Sequence, residues 1–182
     1  MASAIMGGVI NKELIPANEI IGADLFAPGR ERVKAQFGIN VTASNKEVVE
    51  NADVIILSVK PQFYADVISE IKDVVKDNQI IITIAPGKTL AWLAEQFGKD
   101  VKIVRTMPNT PAMVGEGMTA ACPNEHMTEE EIAYAKTILE SFSKVEIVPE
   151  RLMDTVTAVS GSSPAYVFMF IEAMADAIVI II

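Results

Sequence analysis

Ala52–Val59 reads ADVIILSV and Asn78–Ala85 reads NQIIITIA. Each is a nearly unbroken apolar run rich in Val and Ile, the pattern of a strand buried on both faces. Glu19–Asp24 (EIIGAD) and Val101–Arg105 (VKIVR) repeat the pattern on either side. Helical patterns fill the intervals at Pro28–Phe37, Gln62–Lys76 and Leu90–Phe97, and another at Ala2–Leu14 precedes the first strand. Strands that alternate with helices build βαβ units, so the expected fold is α/β with a doubly wound parallel sheet.

A second block follows. Gly117–Cys122 and Lys144–Val148 are shorter strand candidates flanking a helix at Thr128–Phe142, whose Thr128 is followed three residues later by Glu131 as in a capping box. From Pro149 the alternation stops. A short helix around Glu150–Val159, a loop at Ser160–Ser163 and a helix opening at Pro164 make a run of helices, which places a boundary near Pro149.

Composition narrows the function. Among 182 residues 51% are hydrophobic and 21% charged, a balance that buries a core. Lys and Arg number 15 against 24 Asp and Glu, a net charge of −9, and the cations do not cluster, so neither nucleic acid nor an anionic membrane is an expected partner. One cysteine, Cys122, excludes an intrachain disulfide; with one histidine, His126, it leaves too few soft ligands for a structural metal site, and a reducing cytoplasm fits. The N-terminus lacks the basic start of a secretory signal. The apolar tail Ala165–Ile182 carries Glu172 and Asp176, each costing about 2.5–3.5 kcal/mol at a bilayer centre, so it reads as a core helix, not a span.

In a doubly wound sheet, ligands bind beyond the carboxyl ends of the strands. The loops to watch are therefore Asp24–Gly29, Ser58–Phe63, Ala85–Thr89 and Met107–Met113. Asp24 stands where a dinucleotide fold commonly holds a ribose hydroxyl, although Asp at a strand end also forms turns; Arg30 and Arg32 could instead attract a 2′-phosphate. Ser58-Val59-Lys60-Pro61 brings a cation and a turn to a strand end. Ala85-Pro86-Gly87 offers small residues that let a flat ligand approach the backbone, and Asn109 with Thr110 adds an amide and a hydroxyl. Ser160-Gly161-Ser162-Ser163 before Pro164 reads as a helix start with Ser163 as its cap, whose free amides can hold a carboxylate. Gly115-Glu116-Gly117-Met118-Thr119-Ala120 matches G-x-G-x-x-A in form only, because it follows a proline loop and runs into strand-like sequence.

The order Val59-Lys60-Pro61, Ala85-Pro86-Gly87, Arg105-Thr106-Met107-Pro108-Asn109-Thr110-Pro111, then Val159 to Tyr166 and Glu172 to Ala177 resembles pyrroline-5-carboxylate reductase over nearly the whole chain. The resemblance implies a Rossmann-like sheet in residues 1–149, a dinucleotide-binding domain, and in 150–182 the start of an all-helical dimerisation domain. It implies an oxidoreductase of proline biosynthesis, with NADPH or NADH as cofactor and 1-pyrroline-5-carboxylate as substrate. By it Asn45, Ser58–Pro61, Ala85–Gly87, Asn109 and Thr110 contact the dinucleotide, while Glu150 and Ser160–Ser163 lie near substrate; no catalytic residue follows. Pro86 departs from the Ala usual in the family and removes a backbone N–H.

The family opens with a strand and a Gly-x-Gly-x-Met loop, and Met1 aligns with that methionine. The first strand and the phosphate-binding glycines are therefore expected to be missing. At the other end, further helices that complete the substrate site and most of the homo-oligomer's dimer interface are expected beyond Ala177. The expectation is a reductase fragment, inactive by itself. The alternative from another class is a non-catalytic nucleotide-binding or interaction module. A related β-hydroxyacid reductase would need a catalytic Lys on the last helix, and Pro164–Ile182 has none.

Overall fold

The computed structural model describes residues 1–181, with side chains to Ile178; Ile182 of the expected C-terminal unit lies outside the described residues. In chain order the elements are α1 (Ala2–Asn11), β1 (Ile21–Ala23), α2 (Ala27–Phe37), β2 (Asn40–Thr42), α3 (Asn45–Asn51), β3 (Val54–Leu57), α4 (Tyr64–Ile71), β4 (Ile80–Thr83), α5 (Leu90–Phe97), β5 (Lys102–Pro108), β6 (Gly117–Pro123), α6 (Glu129–Glu140), β7 (Ser143–Ile147), α7 (Met153–Val156) and α8 (Ser163–Ile181).

The Ile and Val runs form the centre of the sheet. β3, β4 and β5 pair in parallel with Leu57, Thr83 and Arg105 in one row, so their carboxyl ends share an edge. Alternate side chains point to opposite faces. Ile55, Leu57, Ile81 and Ile103 meet Tyr64, Ile68 and Ile71 of α4 and Leu93 and Phe97 of α5. Ile80, Ile82 and Val104 meet Ala4 and Ile5 of α1 and Ala135 and Leu139 of α6. Helices thus cover both faces, the doubly wound arrangement expected.

Local chemistry sets the boundaries. Thr89 caps α5 by accepting from the Trp92 amide at 3.1 Å, and Gly98 ends that helix at φ +66°. Thr128 and Glu131 form the expected capping box of α6.

Several expectations are corrected. The sheet is not wholly parallel, because β6 runs antiparallel to β5: a 3-10 turn over Thr110–Val114 and Gly115 at φ +78° send the chain back beside the strand it has just left. It is also divided, with β1 and β2 in one sheet and β3 to β7 in another. β2 and α3 are additions that the apolar runs do not reveal. The helix expected over Gln62–Lys76 is confined to Tyr64–Ile71, after a 3-10 turn at Pro61–Phe63. The expected loop at Ser160–Ser163 is helical instead: Thr157–Gly161 form a wide turn in which the Ser162 amide bonds to the Thr157 carbonyl at 3.1 Å, and Ser163 is the first residue of α8, not its cap. Finally, α8 is not a core helix here. Tyr166, Phe168, Met169 and Phe170 are each more than 60% exposed, and no helix among the described residues is long and apolar enough to cross a membrane.

Candidate functional site

Four strand ends and the start of the C-terminal helices supply the candidate residues. Asp24 follows β1, exposed; its Oδ1 accepts from the Phe26 amide at 2.9 Å, a turn that aims the carboxylate back over the α2 start. Gly29 is needed beside it, since a Cβ there would lie 2.8 Å from Asp24 Oδ2. Arg30 is committed to this turn: Nη1 donates to the Asp24 carbonyl at 2.6 Å and the Leu25 carbonyl at 3.1 Å. Asn45 opens α3 and donates from Nδ2 to Glu70 Oε2 at 2.8 Å.

Ser58–Pro61 leaves β3 with Ser58 and Lys60 exposed. The Ala85–Gly87 loop leaves β4 with Ala85 buried and with Pro86 and Gly87 exposed. Gly87 sits at φ +73°, and a Cβ there would meet nothing within 4 Å, so the backbone faces open space. That open face, beside the exposed Ser58 hydroxyl and Lys60 at the neighbouring β3 end, fits a flat ring on a polar phosphate and ribose chain. Tyr64, fully buried, ties the two loops together: its hydroxyl donates to the Leu57 carbonyl and accepts from the Ile84 amide at 3.3 Å.

Burial pushes the Tyr64 phenol up to about 12, against the lowering pull of its backbone donors. Its folded value lies above the ordinary value of 10.0, so the stability that it contributes is complete below about pH 10 and is lost as pH rises through about 12. Tyr64→Phe is expected to flatten that alkaline limb in urea unfolding followed from pH 8 to pH 12. At neutral pH it should cost about 1–3 kcal/mol for the buried groups left unpaired. A limb as steep as the wild type's would assign it to other groups.

Asn109, half-buried after β5, links β6 to the Thr157–Gly161 turn: its Oδ1 accepts from the Met118 amide at 2.9 Å and its Nδ2 donates to Ser160 Oγ at 3.2 Å. Thr110 is exposed at the start of the 3-10 turn. Ser160 also lines an open apolar groove of about 360 Å³ with Met118, Val148 and Val156. Gly161 packs on β5, where a Cβ would lie 2.7 Å from Met107 Cε. Ser162 Oγ donates to the Thr157 carbonyl at 3.2 Å. Glu150 lies away from these serines' bonds, held by Arg105 and the Leu90 amide.

The structure therefore gathers Ser58–Pro61, Ala85–Gly87 and Asn109 at one sheet edge and bonds Asn109 to Ser160. Asn45 points to α4. A polar hollow of about 610 Å³ lies at the opposite, amino edge, lined by Asn18, Lys34, Asn40 and Asp53, away from these loops. Arg105 enters the sequence reading only within the Arg105–Pro111 run and Tyr64 not at all, because neighbours such as Lys102, Thr106, Gln62 and Asp66 keep either from standing out as polar. Cys122 takes no part. Burial first and the Glu150 charge second push its thiol up, against the pull of Arg105, so it stays protonated at neutral pH. Among the described residues no group of side chains is suited to a metal ion.

Residues 1–87 match the family model "NADP oxidoreductase coenzyme F420-dependent". Together with the doubly wound sheet, that match defines the class, an NAD(P)H-dependent oxidoreductase. Residues 150–180 match the model of pyrroline-5-carboxylate reductase dimerisation. The pyrroline-5-carboxylate reductase of Escherichia coli K12 is 44% identical over 99% of this chain and 67% of its own length, and that of Arabidopsis thaliana is 39% identical over 97% and 63%. The chain thus spans about two thirds of the length of these relatives. A reductase structure from Coxiella burnetii superposes with TM-score 0.89 at 32% identity, covering 97% of this chain and 66% of the other. A Plasmodium falciparum pyrroline carboxylate reductase with NADP bound gives 0.85 at 32%, covering 97% and 64%. The chain belongs to the pyrroline-5-carboxylate reductase family.

Proposed function

We propose that the protein reduces 1-pyrroline-5-carboxylate to L-proline with NADPH or NADH, closing proline biosynthesis in the cytoplasm, and that it works as a homo-oligomer. The observation that carries this reading is the convergence of the β3, β4 and β5 loops at one edge, with Asn109 reaching from that edge to Ser160. Residues 1–149 act as the dinucleotide domain and residues 150–182 begin the substrate and dimerisation domain, a division supported by the span of the dimerisation match.

When bound, the cofactor supplies a hydride to the ring C=N carbon, while the nitrogen takes a proton. The protein's part is orientation. Asp24, Asn45, Ser58–Pro61, Ala85–Gly87, Asn109 and Thr110 hold the dinucleotide, with the open Gly87 backbone against its flat ring. Asn109 donates to Ser160 Oγ, which leaves the Ser160 proton free to point toward a substrate carboxylate, with Gly161, Ser162 and Ser163 beside it. Pro86, with no N–H, makes the loop approach by shape rather than by donation. The divided sheet beside these loops favours one competitor, a nucleotide-binding module without catalysis.

The test compares residues 1–182 with a version extended at both ends by the corresponding segments of the Escherichia coli relative. Oxidation of NADPH and NADH with the imine is expected in the extended chain, without strong preference for NADPH, because the Asp24 carboxylate repels a 2′-phosphate. Asp24→Ser should raise the NADPH to NADH ratio of kcat/KM about fivefold, the scale of one exposed charge interaction of about 1 kcal/mol. Cofactor binding without turnover at saturating imine would establish the module instead.

A further inference from the structure

The resemblance puts Glu150 near substrate, yet one oxygen of its carboxylate already has two donors. Oε1 accepts from the Leu90 amide at 2.7 Å and from Arg105 Nη1 at 2.9 Å. Leu90 is the first residue of α5, so the carboxylate sits at the helix's amino end, where unpaired amides concentrate positive charge. The Arg105 side chain is 4% exposed and makes a second, longer contact with Asp154 Oδ1 at 3.4 Å. A buried guanidinium needs a counter-charge, and Glu150 brings it from the 3-10 turn that opens the C-terminal segment.

That bond adds an anchor from outside at the far end of the loop between β4 and α5, where Thr89 also caps the helix. The loop's first anchor is the Ile84 amide, which donates to Tyr64. In between, Pro86 has no N–H and Gly87 holds a left-handed conformation. Its far anchor is the Leu90 amide on Glu150. One carboxylate oxygen therefore joins the loop, the β5 strand and the C-terminal helices.

We propose that Glu150 is a positioning residue that fixes the Ala85–Thr89 loop for the cofactor, and not a substrate contact. The proposal rests on the reading of that loop as part of the cofactor site. It couples cofactor binding to the seating of the C-terminal segment, since Glu150 leaves Leu90 and Arg105 together if that segment shifts.

Amide hydrogen exchange by NMR and titrations with NADPH and with L-proline test it in residues 1–182. Glu150→Ala should speed exchange at the Leu90 amide and raise the Kd for NADPH, each about tenfold or more, the effect of losing one hydrogen bond to a charged acceptor. The Ile81 and Ile103 amides of the sheet interior should keep their protection. Glu150→Gln retains an acceptor of the same reach but not the counter-charge of Arg105, and should fall between the wild type and Glu150→Ala on both readouts. Because Glu150→Ala strands the Arg105 charge, the pair Arg105→Met with Glu150→Ala repeats the test without it. Unchanged Leu90 exchange in the pair, or faster exchange with an unchanged Kd for NADPH, would overturn the proposal. Loss of L-proline binding alone would overturn it in favour of substrate contact. If the wild-type chain takes no NADPH, the titrations are made in the extended chain, where absence of binding would end the cofactor reading of the loop and this role with it, while Leu90 exchange still decides whether Glu150 anchors the loop.

Discussion

Phe142→Ala is expected to lower the unfolding free energy by about 3–5 kcal/mol, the range for emptying a large aromatic site in a packed core. Phe142 is 1% exposed, between α6 and β7, and packs in the cluster formed by Ile5, Ile82, Val104, Leu139 and Val145. It also seats α1. A Cβ on Gly8 would lie 2.9 Å from Phe142 Cβ and 2.8 Å from Ser141 Oγ, so the helix lies against this corner only because Gly8 has no side chain. Leu139 and Ile138 are already buried and cannot swing far enough to refill a benzyl-sized hole. Domain stabilities are typically about 5–15 kcal/mol, so the loss consumes a large share. Urea unfolding followed by circular dichroism would measure it as a lower midpoint at unchanged slope. A cost below about 1 kcal/mol would mean that α1 and the sheet close the gap.

Phe142 also illustrates what the sequence shows and what it hides. The helix ending just before it, at Glu140, announces itself through Thr128 and Glu131, and the strands of the centre through their Ile and Val runs, because burial on both faces imposes one composition wherever the strand lies. Leu90–Phe97 is equally plain, with Thr89 before it and Gly98 after it. β2 is not: Asn40-Val41-Thr42 has three residues and an exposed first one, so no run forms. The direction of β6 is hidden for another reason. A strand's composition reports its burial, whereas its direction is set by the turn that delivers it, here Thr110–Gly115.

The site divides in the same way. Parallel pairing of β3, β4 and β5 places Ser58, Ala85 and Asn109 at one edge, and the chain order reveals that much, whereas Asp24 ends a strand of the separate β1–β2 sheet. The partners of Glu150 are 45 and 60 residues away, and nothing near Glu150 in sequence points to them. Ser160–Ser163 misleads because Ser and Gly are read as loop formers, while the wide turn at Thr157–Gly161 uses them for close packing on Met107 within a continuous helical path.

Residues 1–182 are expected to associate in solution through α8, and Phe168→Ser with Phe170→Ser is expected to weaken that association about 100-fold or more. Ala165 to Ile171 is seven apolar residues in succession, so the helix presents hydrophobic surface on every side. Tyr166, Phe168, Met169 and Phe170 are 63%, 64%, 65% and 66% exposed. Glu172 ends the row and Asp176 follows one turn later, and both argue against burial in lipid. A second copy of the same helix matches such a surface, and the match of residues 150–180 to a dimerisation model supports that occupant. Aromatic anchors at the centre of an interface each contribute about 2 kcal/mol or more, which for two residues is close to 1,000-fold; the 100-fold estimate leaves room for their sharing one pocket. Sedimentation velocity across roughly 1–100 μM, the range expected for a modest interface, would show a shift from monomer to dimer that the double variant moves beyond the upper end. A plateau at two copies identifies a closed symmetric pair, whereas unlimited growth identifies only an adhesive face. Both phenylalanines are exposed on α8 and neither belongs to the loops proposed to hold the cofactor, so NADPH titration of the same variant should match the wild type. A wild-type chain still monomeric at the highest concentration would rule out α8 as a self-association surface in residues 1–182.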